Sequence, residues 1–246
     1  MKDYILECCV DSVESALLAQ EGGADRLELC SSLIIGGTTP TLSLYERIRL
    51  VSSIRIHALI RPRFGDFLYT KEELALIRSE IARFRQAGAE GVVIGCLTPD
   101  GDLDTEAMKP LMEAAEGMSV TLHRAFDMCR DPFAALETAV RLGIDTILTS
   151  GQANSCLEGL ELLQKLQEQA KGRITLLAGA GINAQAVETL LRQTTLTAFH
   201  MSGKRILESG MRYRNPHVSM GLPSMSEYEI WQTDPEAVRA VRRLLA

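Results

Sequence analysis

The chain has 246 residues, 46% of them hydrophobic, and a formal net charge of -6. This length allows one large domain or two small ones with a substantial core, and the acidic balance leaves no basic footprint for nucleic acid. Glu7 follows only two apolar residues at the amino terminus, so that stretch does not read as the core of a signal peptide, and no run is long enough to span a bilayer.

The expected setting is the cytoplasm. The six cysteines, Cys8, Cys9, Cys30, Cys96, Cys129 and Cys156, form no C-x-x-C and no zinc-finger spacing. In a reducing compartment they are expected as free thiols.

Along the chain, short β-branched or leucine-rich runs alternate with longer segments of helical period. Strands are predicted at residues 4–9, 26–30, 55–60, 91–97, 119–126, 146–150, 174–178 and 198–201, each followed by a helix. Asp11 with Glu14, Ser43 with Glu46 and Thr70 with Glu73 have capping-box spacing. Gly23-Ala-Asp, Gly88-Ala-Glu and Gly143-Ile-Asp repeat one phrase, in which glycine ends a helix and an acid leads into the next strand. Asp234-Pro235 opens a final helix over residues 236–245.

Eight strand and helix units in about 250 residues fit a single-domain (β/α)8 TIM barrel spanning residues 1–246. A doubly wound open sheet predicts a glycine-rich fingerprint after the first strand, and Cys8-Cys-Val-Asp-Ser-Val13 has none. Two connections, residues 31–42 and 203–233, are too long for plain turns. They are expected to cover the barrel mouth or to make a subunit contact.

Alternate side chains of a strand share a face. Glu7 therefore pairs with Cys9, Glu28 with Cys30, His57 with Arg61, and His200 with Ser202, while His123 and Asp127 share a parity that Arg124 does not. If this parity points inward, ionisable groups gather at the carboxyl-terminal end of the barrel, where barrel enzymes keep their sites. Glu7, Glu28, His123 and Asp127 are then candidates for proton transfer. Arg61 and Arg63 suit an anion, as do Ser150 with Gly151, Gly179 with Gly181, and Ser202 with Gly203 after strands six, seven and eight. The same charges could instead satisfy one another as a buried network. Cys9 and Cys30 end matching phrases on strands about 5 Å apart and could share a soft monovalent ion.

Gly22-Gly-Ala-Asp-Arg-Leu-Glu-Leu-Cys30, Gly36-Gly-Thr-Thr-Pro40, Ile60-Arg-Pro-Arg63, Gly65-Asp-Phe67, His123-Arg-Ala-Phe-Asp-Met128, Leu148-Thr-Ser-Gly151, Ala178-Gly-Ala-Gly181 and Met211-Arg-Tyr-Arg-Asn215 run nearly end to end. With these motifs the chain resembles the CutC family, named for copper homeostasis. The resemblance implies a (β/α)8 barrel, a cytoplasmic homo-oligomer, and copper(I) binding by the cysteines that match Cys9 and Cys30. Ile35 departs from the glutamate common in the family before the paired glycines. A copper carrier has no evident use for Arg61, His123, Asp127 and a glycine-rich anion cradle. An isomerase, aldolase or lyase acting on a small anionic metabolite is therefore the alternative expectation, and a non-catalytic binding barrel is the third.

Overall fold

The computed structural model describes residues 3–221 and 225–246. Eight parallel strands close into a barrel in sequence order: β1 (Ile5–Val10), β2 (Arg26–Leu29), β3 (Arg55–Leu59), β4 (Gly91–Ile94), β5 (Ser119–Leu122), β6 (Thr146–Thr149), β7 (Thr175–Ala178) and β8 (Ala198–Met201). Around it run α1 (Val13–Glu21), α2 (Leu42–Arg49), α3 (Lys71–Gln86), α4 (Thr105–Ala114), α5 (Pro132–Leu142), α6 (Leu160–Ala170), α7 (Ala184–Gln193) and α8 (Pro235–Leu245). This is the predicted single-domain (β/α)8 barrel. No helix among the described residues is long and apolar enough to cross a membrane.

The repeated phrase has a common physical role. Gly23, Gly88 and Gly143 all take left-handed backbone angles, which a side chain would oppose. The acid that follows each one ties two strands together. Asp25 accepts from the Leu6 N–H at 2.7 Å, Glu90 from Ile56 at 2.9 Å and Asp145 from Val120 at 2.7 Å. Each carboxylate thus receives a backbone donor near the start of the preceding strand, at the end of the barrel opposite the mouth.

Helix starts match the sequence in part. Thr70 and Glu73 form the complete capping box, and Asp234 caps α8. Ser12 rather than Asp11 caps α1, and Thr41 rather than Ser43 caps α2, each through the backbone N–H three residues on. Residues 203–233 are not a plain loop, since they contain an antiparallel pair, β9 (Lys204–Glu208) and β10 (Glu229–Thr233).

The interior is layered. Ile5, Leu148, Leu177 and Ala198 form one apolar cluster, and Cys9, Cys30, Leu59 and Val93 form another nearer the mouth. Along β1, Glu7 lies between Ile5 and Cys9, so a polar layer separates the two clusters. Glu7, Arg26, Glu28 and His57 are all buried. The larger core packs on the outer face of the sheet beneath the helices, with Leu6, Cys8, Leu27 and Leu29 among its members.

Candidate functional site at the barrel mouth

Glu7 is the hub of the polar layer. Strand register sets Arg26 on one side of it and His200 on the other. Arg26 Nε donates to Glu7 Oε2, and His200 Nδ1 lies 2.7 Å from Oε1. Burial alone would raise the pKa of Glu7, but the Arg26 guanidinium and His200 outweigh it and hold the carboxyl well below its usual range.

The hydrogen bond to Glu7 orients the His200 ring and leaves Nε2 toward Glu28, 3.7 Å from Oε2. Burial opposes a charged imidazole at this position, but Cys9 and the two carboxylates prevail and raise His200 well above the usual histidine range. Glu28 shifts upward, first through burial and then through the nearby Glu7. Two carboxylates in one layer thus diverge, and only Glu7 is strongly held as the anion.

Cys9 Sγ, a Glu28 oxygen and a His200 ring nitrogen lie within 4.8 Å of one another. Cys30 is outside this group. It is fully buried, its thiol sits 3.4 Å from Glu28 Oε2, and burial followed by the Glu28 charge pushes it well up from the ordinary thiol value. All six cysteines are free thiols.

Arg61 closes β3 on another side of the mouth. Its Nη1 donates to the Gly37 carbonyl at 3.0 Å and the Ile35 carbonyl at 3.5 Å, Nη2 donates to Gly65 at 2.9 Å, and the guanidinium stacks 5.1 Å from the Phe67 ring centre. His123 lies against the same ring at 4.8 Å. A Cβ on Gly95 would come within 2.8 Å of the imidazole, so glycine there makes room for it. Ile35 contributes its carbonyl to Arg61.

Several expected site residues lie elsewhere. Arg63 turns away to Glu73 at 2.6 Å and Asp66 at 2.9 Å. Asp127 does not line the mouth as strand parity predicted, because β5 ends at Leu122 and Arg124–Met128 form a 3-10 helix. Its carboxylate accepts instead from Thr149 Oγ1, from the Ser150 N–H and hydroxyl, and from the Gln152 N–H.

The expected anion cradle after β6 is thereby closed. The Ser150 N–H is committed to Asp127, and the Gly151 N–H to Thr149 Oγ1. The Gly179 N–H is bonded to the Thr149 carbonyl. Gly151 serves packing, since a Cβ there would meet the Gly159 carbonyl oxygen at 2.3 Å. Arg124, off the inward parity, pairs with Asp127 at 2.7 Å and reaches Ser150 Oγ at 2.9 Å, and it also borders the mouth.

A cavity of about 290 Å³ opens here, lined on its polar side by Cys9, Glu28, Arg61, His123, His200 and Ser202, with Gly181 from the β7 loop. Gly203 is outside it. A second cavity of about 370 Å³ lies against Trp231 and Lys204 of the β9–β10 pair and shares Cys9, Leu33 and Ser202 with the first. Sequence reasoning placed His200 on the inward parity but gave it no role, and it left Arg26 out. The parity that selected Glu28 also selects Arg26, two residues before it.

Fold and mouth define a (β/α)8 barrel with a mixed thiol, carboxylate, imidazole and guanidinium site at its strand ends. The CutC family pattern matches residues 4–205. A CutC family protein of Bacteroides fragilis strain YCH46 is 49% identical over 93% of this chain and 92% of its own. The human copper homeostasis protein cutC homolog is 45% identical over 98% of this chain and 89% of its own. The solved structure of a Streptococcus agalactiae protein described as copper homeostasis protein CutC superposes with a TM-score of 0.77 at 28% identity, covering 81% of this chain and 98% of that one. The chain belongs to the CutC family.

Proposed function

We propose that the protein works in copper homeostasis in the cytoplasm, receiving one copper(I) ion as cargo on Cys9 Sγ and His200 Nε2. The observation that carries this reading is the meeting of Cys9, His200 and Glu28 donor atoms within 4.8 Å beside an open cavity. A thiolate is the preferred soft ligand for copper(I), and imidazole is compatible with it, whereas a carboxylate is too hard to add much. Glu7 on Nδ1 is the outer partner that fixes a ligating ring. The copper homeostasis names of the human and streptococcal relatives support the same assignment.

Anaerobic titration against a chromophoric copper(I) chelator tests it. One copper per chain is expected, with affinity at least 100-fold weaker in Cys9→Ala and clearly weakened in His200→Phe, and with Cys30→Ser close to the parent. Unchanged affinity in Cys9→Ala would sink the site. Full dependence on Cys30 would restore the two-thiolate arrangement suggested by the sequence.

The cytoplasmic setting agrees with six unpaired thiols. Ile206, Met211, Tyr213, Met220 and Ile230 stand exposed on and around the β9–β10 pair, which supports a homo-oligomer joined through this segment. Light scattering is expected to report more than one chain per particle, and a lower mass for Tyr213→Glu; a monomeric parent would refute this.

A further inference from the structure

Copper handling uses one side of the mouth and leaves the Arg61 and His123 side without a task. Arg61 is only 7% exposed. No carboxylate lies within 4 Å of its guanidinium among the described residues, although Arg63, two positions on, has two. Backbone carbonyls satisfy its Nη atoms in hydrogen-bond geometry but do not neutralise its charge, and Nε has no partner among the described residues. Buried charges are normally paired, since an isolated one is costly to remove from water. A cationic pole therefore faces the cavity.

His123 stands beside it, 5% exposed. Its Nδ1 accepts from the Ala125 N–H at 3.2 Å, which puts the ring proton on Nε2. Burial and the neighbouring Arg61 charge hold the imidazole down at about 3, so it stays neutral at physiological pH. Nε2–H has no protein acceptor among the described residues. Gly95 and Phe67 clamp the ring, so the donor direction is fixed.

The geometry points to a binding site for a small monocarboxylate bearing a second oxygen next to the carboxyl group, as in 2-hydroxy and 2-oxo acids. Arg61 takes the carboxylate and the Nε2–H of His123 donates to the adjacent oxygen. Arg124 and His200 also border the cavity, but each has its own carboxylate, Asp127 at 2.7 Å and Glu7 at 2.7 Å; the one unpaired guanidinium, Arg61, with one neutral donor matches a single negative charge better than a phosphate dianion. The β6 loop offers no help to a phosphate either, because Asp127 and Thr149 occupy its N–H groups. The cavity, about 290 Å³, suits a small metabolite.

The test is made on the copper-free full chain, with nitrogen-15 spectra recorded during titration with glycolate, pyruvate, acetate and inorganic phosphate. Saturable binding of glycolate or pyruvate is expected, at least tenfold tighter than acetate or phosphate, with a shift of the His123 Nε2 resonance at saturation. Arg61→Lys and His123→Phe should each weaken glycolate binding at least tenfold, while Arg63→Gln leaves it unchanged. His123→Phe decides the matter if Arg61→Lys does not fold. Tighter binding of phosphate, equal binding of acetate, no saturable binding, or glycolate binding unaltered in His123→Phe would each overturn the assignment. Copper uptake is a separate readout, so either proposal can fail alone.

Discussion

Glu7→Ala is expected to destabilise the protein by about 3–5 kcal/mol, because it strands a buried charge. The Glu7 side chain is 1% exposed and that of Arg26 is 8% exposed, and the two are hydrogen-bonded inside the barrel. Removing the carboxylate leaves the guanidinium, whose Nη2 already lacks a partner, with no counter-charge. It also frees His200 from its orienting bond. For a chain of this size the loss corresponds to a fall in Tm of about 10 °C. The double substitution Glu7→Leu with Arg26→Met removes both charges and should recover most of the stability, since apolar replacement of a whole buried pair is often close to neutral. Urea unfolding of the parent, single and double variants checks this. A Glu7→Ala loss under 1 kcal/mol would mean that the pair is not buried as described.

The second large effect is acid sensitivity. Burial, followed by the Arg26 charge, lowers His57 from 6.5 to about 4, and burial with Arg61 lowers His123 to about 3. Both groups are neutral when folded at pH 5, whereas the unfolded chain binds protons there. Stability present above pH 6.5 is therefore lost as the pH falls toward the folded values. Going from pH 7 to pH 5 costs about 2 kcal/mol per histidine, or about 4 kcal/mol together. Glu28 and His200, both raised, act in the opposite direction. Urea midpoints of the parent at pH 7, 6 and 5 report the balance of these groups, and the loss between pH 7 and pH 5 should be about 2 kcal/mol smaller in His57→Met than in the parent. The same pH dependence in both proteins would contradict a buried neutral His57.

Much of the barrel was legible in the sequence because each strand is a short apolar run between helix-ending glycines and capping residues. Inward parity also held for Glu7, Cys9, Glu28, Arg61, His123 and His200, all of which lie on the barrel interior or its mouth. Asp127 failed because parity carries no information once the chain leaves the strand, and the 3-10 turn after Leu122 reverses which of Arg124 and Asp127 meets the cavity.

Cys9 and Cys30 are not level with each other as their matching phrases suggest, because barrel closure staggers neighbouring strands. The register sets Cys9 opposite Glu28, while both cysteines stay in one apolar cluster. Glycines after strands were ambiguous in the same way. At Gly151 close packing, rather than an anion, requires the missing side chain. Only the assembled structure shows which N–H groups are already bonded.

X-ray absorption of the protein loaded with one equivalent of copper(I) tests the central claim most directly, because it counts sulfur and nitrogen around the metal. The account predicts one sulfur and one imidazole nitrogen, with the nitrogen signal lost in His200→Phe. A two-sulfur site without imidazole, or a spectrum unchanged in Cys9→Ala, would contradict it.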